Sequence, residues 1–304
     1  MNQALHNQLL SLVGEENVKL QEPMSKHTTF KIGGNADFFI MPTKNEEVQS
    51  IVALARKEEI PYLFIGNGSN LLVSDDGIRG FVIEMTKMNA IVVEGTKVRA
   101  QAGVTLAELA KAVARESLTG FEFAEGIPGT LGGAVTMNAG AYGGEINDVI
   151  VEATVLDDKG EIVVLSKEDL ELGYRTSIVG RKHYVVLEAV IGLEKGNQEE
   201  ILDKMRDLSQ RRREKQPLEY PSAGSTFKRP EGYFAGKLID DTGLRGFGLG
   251  GAKVSDKHCG FIINTGNATA LDVRNLIKEV QNRVEDKFGV RLETEVKFIG
   301  FTTE

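Results

Sequence analysis

The sequence predicts an α+β protein of two or three domains, and three observations carry that expectation. Short β-branched or aromatic runs alternate with helix-spaced apolar residues through the first half. Two glycine-dense loops, 66–72 and 126–143, each follow an apolar run of this kind. Beyond residue 194 the composition changes, and a long charged helix leads into a last third with its own strand and helix pattern.

The bulk numbers narrow the class. The chain has 304 residues, 41% hydrophobic and 26% charged, which is ordinary for a globular protein with a large core. A net charge of −8 argues against nucleic acid as the main partner, because phosphate backbones need a positive field. It leaves room for a small anionic ligand held by local Arg, Lys and backbone N–H groups. Cys259 is the only cysteine, so an intrachain disulfide and a thiolate metal cluster are excluded, and no metal site is expected. Residues 1–17 lack a basic n-region and a long apolar core, and read as a short surface helix. No apolar run reaches the roughly eighteen residues of a membrane span, so no membrane insertion is expected.

The elements follow in order. Runs at 37–41, 62–66, 81–85, 91–94 and 98–102 are bounded by turn residues and predict strands. Between the first two, 46–59 keeps Val48, Ile51, Val52 and Ala55 at helical spacing. Thr105, with Glu108 three positions on, reads as a capping box that opens a helix to about Ser117. Further strands are expected at 149–156, 161–165 and 184–192, the first two joined by a hairpin turn at 157–160. A helix capped by Asn197 and Glu200 then shows Ile201, Leu202, Met205 and Leu208 on one face, and the domain boundary is placed near it. From Arg211 to Pro217 the chain is basic and reads as a loop. The last third predicts a strand at 260–264, a helix at 269–288 stopped by Gly289, and a closing strand at 295–301.

Glycine density has a physical cost, since glycine loses the most backbone freedom on folding and packs no side chain. A chain accepts it where φ must be positive or where a flat polar group must approach closely. Segment 126–143, GIPGTLGGAVTMNAGAYG, carries six glycines in eighteen positions and suggests a cradle for a large phosphate-bearing ligand. In 66–72, Gly66 and Gly68 allow a turn while Asn67, Ser69 and Asn70 offer donors. Consecutive N–H groups in such a turn form an anion nest suited to a pyrophosphate, although an ordinary polar loop has the same composition. Residues 246–251 formally match G-x-G-x-x-G but neither follow a strand nor open a helix. They read as a loop packed against a ligand or another domain, not as a dinucleotide fingerprint.

Several polar residues are candidates for chemistry. Arg175 lies in GYRTS (173–177) between two strands, and its planar fork could hold a carboxylate or phosphate, or simply form a surface ion pair. Ser225 lies in PSAGSTF (221–227), with neither a His and Asp in hydrolase order nor a G-x-S-x-G elbow. It reads as a turn serine, or as a proton donor to a very basic acceptor such as a carbanion, the one acid task open to an alcohol. In 292–300, Glu293 and Glu295 would share one strand face. His258 and Cys259 would point opposite ways on an extended backbone, so packing explains them without a shared metal.

Together these segments resemble one family closely, the UDP-N-acetylenolpyruvoylglucosamine reductases, flavoenzymes of bacterial peptidoglycan synthesis. The matching pieces are TTFKIGG at 28–34, GNGSNLL at 66–72, 125–143, YRTS at 174–177, 221–227, KLID at 237–240 and 292–300, in order along nearly the whole chain. The resemblance implies an α+β fold with a two-subdomain FAD-binding module of the vanillyl-alcohol oxidase/p-cresol methylhydroxylase type, about 33–198. Its subdomains are expected at 1–85 and 86–205, followed by a smaller α+β substrate-binding domain at 206–304. The cofactor implied is noncovalent FAD, with NADPH as co-substrate and a UDP-sugar as substrate, in a cytoplasmic monomer.

Carried onto this sequence, the family pattern sets FAD against Gly66, Asn67, Gly68, Ser69, Asn70 and Leu71. It also sets FAD against Gly126, Ile127, Pro128, Gly129, Gly132, Gly133, Ala134, Asn138, Ala139, Gly140, Ala141 and Tyr142. Ser225 falls where the family has its proton donor. Arg175 falls where a cation would hold the substrate carboxylate, and Glu295 where a carboxyl group would donate to it or orient its neighbours. Tyr174 and Lys237 are implied in substrate binding, and Arg213 and Lys215 are expected phosphate ligands from charge and position. Arg175 and Ser225 are only fifty positions apart, too close for the inserted tyrosine loop of the longer subtype, so the shorter subtype is expected. Two other readings compete. Another FAD oxidoreductase on the same scaffold, such as an alcohol oxidase, would need no proton donor for a carbanion. A silent nucleotide-sugar or flavin sensor would leave three polar residues without a purpose.

Overall fold

The computed structural model describes residues 3–301; residues 1–2 of the expected N-terminal helix lie outside the described residues. The chain forms two compact units. The first comprises the chain up to Leu20, Phe38–Asn67 and Gly80–Arg211; the second comprises Gln21–Asp37, Gly68–Arg79 and the chain from Arg212 on. Three of the boundaries between them fall inside the strands Val18–Pro23, Asn35–Ile40 and Ile78–Glu84.

In the first unit, Tyr62–Ile65 pairs in parallel with Phe81–Glu84. Helix Asn45–Lys57 buries Val48, Ile51, Val52 and Ala55, the stripe its spacing predicts. Against it packs helix Gln3–Val13, whose Leu5, Leu9 and Val13 recur every fourth residue and are buried. The short surface helix expected there is present, with its apolar stripe packed into the core.

A second sheet in the same unit is antiparallel throughout, in the order Ile162–Ser166, Ile150–Leu156, Val185–Gly192, Lys97–Gln101, Ile91–Glu94. Ala153, Ala189 and Ala100 lie opposite one another across three of its strands and are buried. These small side chains leave room for helix Leu131–Met137, which packs on Val185–Gly192 and Lys97–Gln101. Gly132 shows how tight the fit is: a Cβ there would stand 2.9 Å from the Ala102 Cβ. The expected capping box is present at helix Leu106–Arg115, where Thr105 Oγ1 accepts from the Glu108 N–H at 3.2 Å and Glu108 reaches back to the Thr105 N–H.

Helix Gln198–Lys215 starts at the expected cap, Asn197 Oδ1 accepting from the Glu199 N–H at 2.9 Å. It does not give way to a loop at Arg211 but continues to Lys215. Arg and Lys are good helix formers, and cations are favoured at a helix C-terminus, so the basic run extends the helix.

The second unit is built on helix Ala270–Phe288, which buries Ala270, Val273, Leu276, Ile277, Val280 and Val284. Thr269 and Asp272 form its capping box, and Gly289 at φ 66° ends it. Asp75 adds a second cap, accepting from the Ala270 N–H at 2.9 Å. Packed on it are strands Gly248–Leu249 and Ala252–Val254, the former antiparallel to the latter, and Ala252–Val254 pairs with Ile262–Asn264. The G-x-G-x-x-G match is therefore a hairpin. Its turn meets Asp272 of this helix, the Gly251 N–H donating to Asp272 Oδ2 at 3.2 Å. The closing strand is shorter than expected, Lys297–Ile299, and pairs in parallel with Leu71–Val73. No described helix is long and apolar enough to cross a membrane.

Candidate active site

The two glycine-rich loops meet in the first unit. A Cβ on Gly66 would overlap Thr130 Oγ1, so the end of strand Tyr62–Ile65 lies against the start of helix Leu131–Met137 with no space between. Thr130 was not among the expected site residues; its signal is its place within the glycine run itself. The Leu131 N–H donates to the Val104 carbonyl (2.8 Å) and the Gly132 N–H to the Ala102 carbonyl (2.9 Å). Gly132 is thus explained by packing. Gly133 is not. It is exposed in the first turn of the helix, and a Cβ there would have Thr130 Oγ1, 3.8 Å away, as its nearest neighbour. Helical glycine costs about 1 kcal/mol against alanine, and no close contact among the described residues of this unit requires it here.

The other expected cofactor residues divide by role. Gly140 would clash with Gly144 and Glu145 if substituted, because 140–141 and 144–145 form a small hairpin. Tyr142, at the tip, is exposed with φ 54°. Ala134 and Ala139 are buried, and Ile127 packs against the core. The Gly129 carbonyl accepts from the Leu106 N–H at 3.0 Å. Asn138 is wholly buried at φ 46°, its side chain bonded at both ends.

Arg175 follows in the same unit, on a turn closed by the Gly173 N–H to the Thr176 carbonyl (3.0 Å) and the Thr176 N–H to the Gly173 carbonyl (3.2 Å). It is half-buried with φ 55°. Its Nη2 donates to the Gly140 carbonyl at 3.4 Å, and its guanidinium lies 5.3 Å from the ring centroid of exposed Tyr174. The arginine therefore belongs to the rim of the glycine-rich segment.

In the second unit, Gly68–Leu71, Ser225 and Glu295 form one constellation. Gly68 has φ 58° and a Cβ there would overlap the His27 carbonyl; its own carbonyl accepts from the Thr29 N–H at 3.3 Å. Thr29 Oγ1, beside it, is buried without a hydrogen-bond partner. Asn70 is bonded twice to the closing segment: its Nδ2 donates to the Glu295 carbonyl (3.0 Å) and its carbonyl accepts from the Lys297 N–H (3.0 Å).

Ser225 is exposed, while the next two residues, Thr226 and Phe227, are buried. The Thr226 N–H donates to the Gly260 carbonyl (2.8 Å), its Oγ1 accepts from the Ile262 N–H (3.0 Å), and its carbonyl accepts from the Glu295 N–H (2.9 Å). The serine is thus presented on a rigid backbone beside Glu295. Glu293 and Glu295 do not behave as one face. Glu293 is exposed and pairs with Lys228 at 3.0 Å, whereas Glu295 is half-buried where the chain bends before Lys297.

The cationic candidates are more dispersed. Arg213 and Lys215 are exposed in the last turn of helix Gln198–Lys215, with the Arg213 carbonyl accepting from Lys257 Nζ at 2.6 Å. Lys237 is paired with Asp241 on helix Ala235–Asp241, an element not anticipated from the sequence, and that pairing raises its pKa. Burial pushes the Cys259 thiol up to about 11 and lowers the pKa of His258, whose ring stacks edge-on to Phe261. No described group of three His, Cys, Asp or Glu side chains is placed to hold a metal ion.

The residues present fit a flavin nucleotide. In the first unit, an exposed helical glycine whose Cβ would meet only Thr130 Oγ1 leaves room for a close-lying cofactor. In the second, taken by itself, a positive-φ turn of small polar residues lies beside an orphaned buried hydroxyl, as a polar ligand would require.

Comparison with known proteins agrees. Residues 36–166 match the family model of an FAD binding domain, and 216–299 match the C-terminal domain of UDP-N-acetylenolpyruvoylglucosamine reductase. The chain is 54% identical to the UDP-N-acetylenolpyruvoylglucosamine reductase of Caldanaerobacter subterraneus subsp. tengcongensis, covering 99% of each. It is 56% identical to that of Lachnoclostridium phytofermentans, over 99% of this chain and 98% of the relative. Among solved structures, the reductase of Thermus caldophilus superposes with a TM-score of 0.80 at 35% identity, covering 93% of this chain and 98% of that one. Wild-type Phl p 4.0202, a glucose dehydrogenase, shares the fold alone, with a TM-score of 0.51 at 16% identity over 64% of this chain and 45% of that one. The expected α+β architecture with its FAD module is therefore the one observed, and the chain belongs to the UDP-N-acetylenolpyruvoylglucosamine reductase family.

Proposed function

We infer that this chain reduces the enolpyruvyl group of UDP-N-acetylglucosamine enolpyruvate to a lactyl ether, giving UDP-N-acetylmuramate for peptidoglycan synthesis. The observation that carries the chemistry is the exposed Ser225 held rigidly beside Glu295. When bound and reduced by NADPH, FAD would supply the hydride for the terminal enol-ether carbon. The residues that would hold it lie in Gly66–Leu71 and Gly126–Tyr142, with Asn138, whose amide is committed at both ends, set apart.

The remaining steps belong to the protein. Hydride addition at the terminal carbon leaves negative charge at the carbon beside the carboxylate. Ser225 Oγ gives its proton to that carbon, which is basic enough to take one from an alcohol. Arg175 holds the substrate carboxylate in its guanidinium fork and stabilises the charge that builds there. Glu295 donates to the same carboxylate or orients its neighbours. Arg213 and Lys215 bind the diphosphate, and Tyr174 and Lys237 help to hold the sugar nucleotide. Two domains are proposed within the FAD module, 1–85 and 86–205, with 206–304 binding the UDP-sugar. The enzyme is proposed to act as a cytoplasmic monomer.

The test is NADPH consumption by the purified holoenzyme. It should depend on the enolpyruvyl substrate and yield UDP-N-acetylmuramate mole for mole. Consumption without that product, or none in its presence, would overturn the reading.

A further inference from the structure

We propose that Asn138 is a positioning residue for Arg175, an inference that rests on the reading of Arg175 as the carboxylate-binding group. Asn138 ends helix Leu131–Met137 at φ 46°, a left-handed conformation that asparagine tolerates better than most residues. Its side chain is fully buried. Nδ2 donates to the Gly173 carbonyl at 3.1 Å, and Oδ1 accepts from the Asn147 N–H at 2.9 Å. One amide thus ties together the end of the glycine-rich helix, the helix Ile146–Val149 and the turn that carries Arg175.

That turn needs bracing. Arg175 is its third residue, at φ 55°, a conformation a non-glycine residue keeps only when its surroundings impose it. Asn138 holds the Gly173 end. Ser177, also fully buried, holds the other end by donating from Oγ to the Thr136 carbonyl at 2.6 Å. The Arg175 guanidinium then meets the Gly140 carbonyl, two residues beyond Asn138. Both braces spring from the same short helix, so the arginine is registered against the glycine-rich segment.

A buried amide committed at both ends is poorly placed to serve a cofactor, so the structure moves Asn138 from ligand to brace. Only an amide of this length supplies a donor to Gly173 and an acceptor to Asn147 together. An aspartate would set a carboxylate oxygen against the Gly173 carbonyl. A glycine would keep the backbone but leave both buried partners unpaired.

The test compares wild type, Asn138→Asp, Arg175→Ala and the double variant as holoenzymes, with the FAD-free chains measured beside them. Asn138→Asp should lower kcat with the enolpyruvyl substrate by about 10- to 100-fold while flavin bleaching by NADPH stays within about twofold. With Arg175→Ala already present, it should cost less than about twofold more. In the FAD-free chain, the Gly173 and Thr176 amides should exchange about tenfold faster in Asn138→Asp. An equal loss in both backgrounds, or unchanged exchange of those amides, would overturn the proposal. Should Asn138→Asp not fold, Asn138→Gly carries the same comparison with the same expected outcomes. A wild-type enzyme that does not turn over the substrate would count against the function, whereas the amide exchange decides the brace independently.

Discussion

The backbone N–H of Glu295 donates to the carbonyl of Thr226 at 2.9 Å, which fixes the two segments bearing Ser225 and Glu295 side by side. Seventy positions of sequence separate Ser225 from Glu295, yet the Glu295 backbone is hydrogen-bonded to Thr226, the residue next to Ser225.

Removing the Ser225 hydroxyl should therefore disturb chemistry and not folding. Ser225→Ala should keep its melting temperature, since the side chain is exposed and the rigidity comes from Thr226. NADPH should still bleach the flavin, while reoxidation by the enolpyruvyl substrate should slow by about 10²- to 10⁴-fold. Rapid-mixing absorbance separates the two half-reactions. Normal reoxidation in the variant would remove Ser225 from its role.

Gly133 offers a test of the cofactor cradle that runs in two directions at once. Gly133→Ala should stabilise the FAD-free chain by about 0.4–1 kcal/mol, because alanine restricts the unfolded backbone and the new Cβ meets only Thr130 Oγ1, at an unstrained 3.8 Å. The same methyl group should weaken FAD binding, since it occupies the space the glycine leaves open. Denaturant melts and flavin fluorescence titration read the two effects. A variant that gains stability and keeps full FAD affinity would show that nothing lies against Gly133.

Glu122 predicts a pH dependence. Its carboxylate is almost wholly buried and accepts from Thr119 Oγ1, the Gly120 N–H and Lys204 Nζ. Burial alone would raise its pKa, but these hydrogen bonds outweigh it and hold the group below the usual carboxylate range. The stability it contributes is thus present above the unfolded-state carboxyl pKa and is lost as pH falls through the lower folded value. Glu122→Gln should cost about 1–3 kcal/mol at neutral pH, with the gap to wild type closing in acid. A gap independent of pH in urea melts would show that the carboxylate charge contributes nothing.

Local chemistry made much of this fold legible. Thr105 with Glu108 and Thr269 with Gly289 mark their helices because caps satisfy backbone groups within a few residues. Helix Leu131–Met137 was hidden, since Gly132 and Gly133 oppose helix formation and tertiary packing, including the alanine-lined sheet beneath it, compensates. The short pairing of Lys297–Ile299 with Leu71–Val73 was equally invisible, being a contact across most of the chain. In the site, residue types pointed to Arg175 and Ser225 as candidates, but each had an ordinary alternative. What decides Asn138 is the state of both ends of its amide, which no spacing in the sequence reveals.

The most direct test of the account is an anaerobic titration of the wild-type holoenzyme. NADPH should bleach the flavin absorbance, and one equivalent of UDP-N-acetylglucosamine enolpyruvate should then restore it with formation of UDP-N-acetylmuramate. A reduced flavin that stays bleached after the enolpyruvyl substrate is added would contradict the central claim.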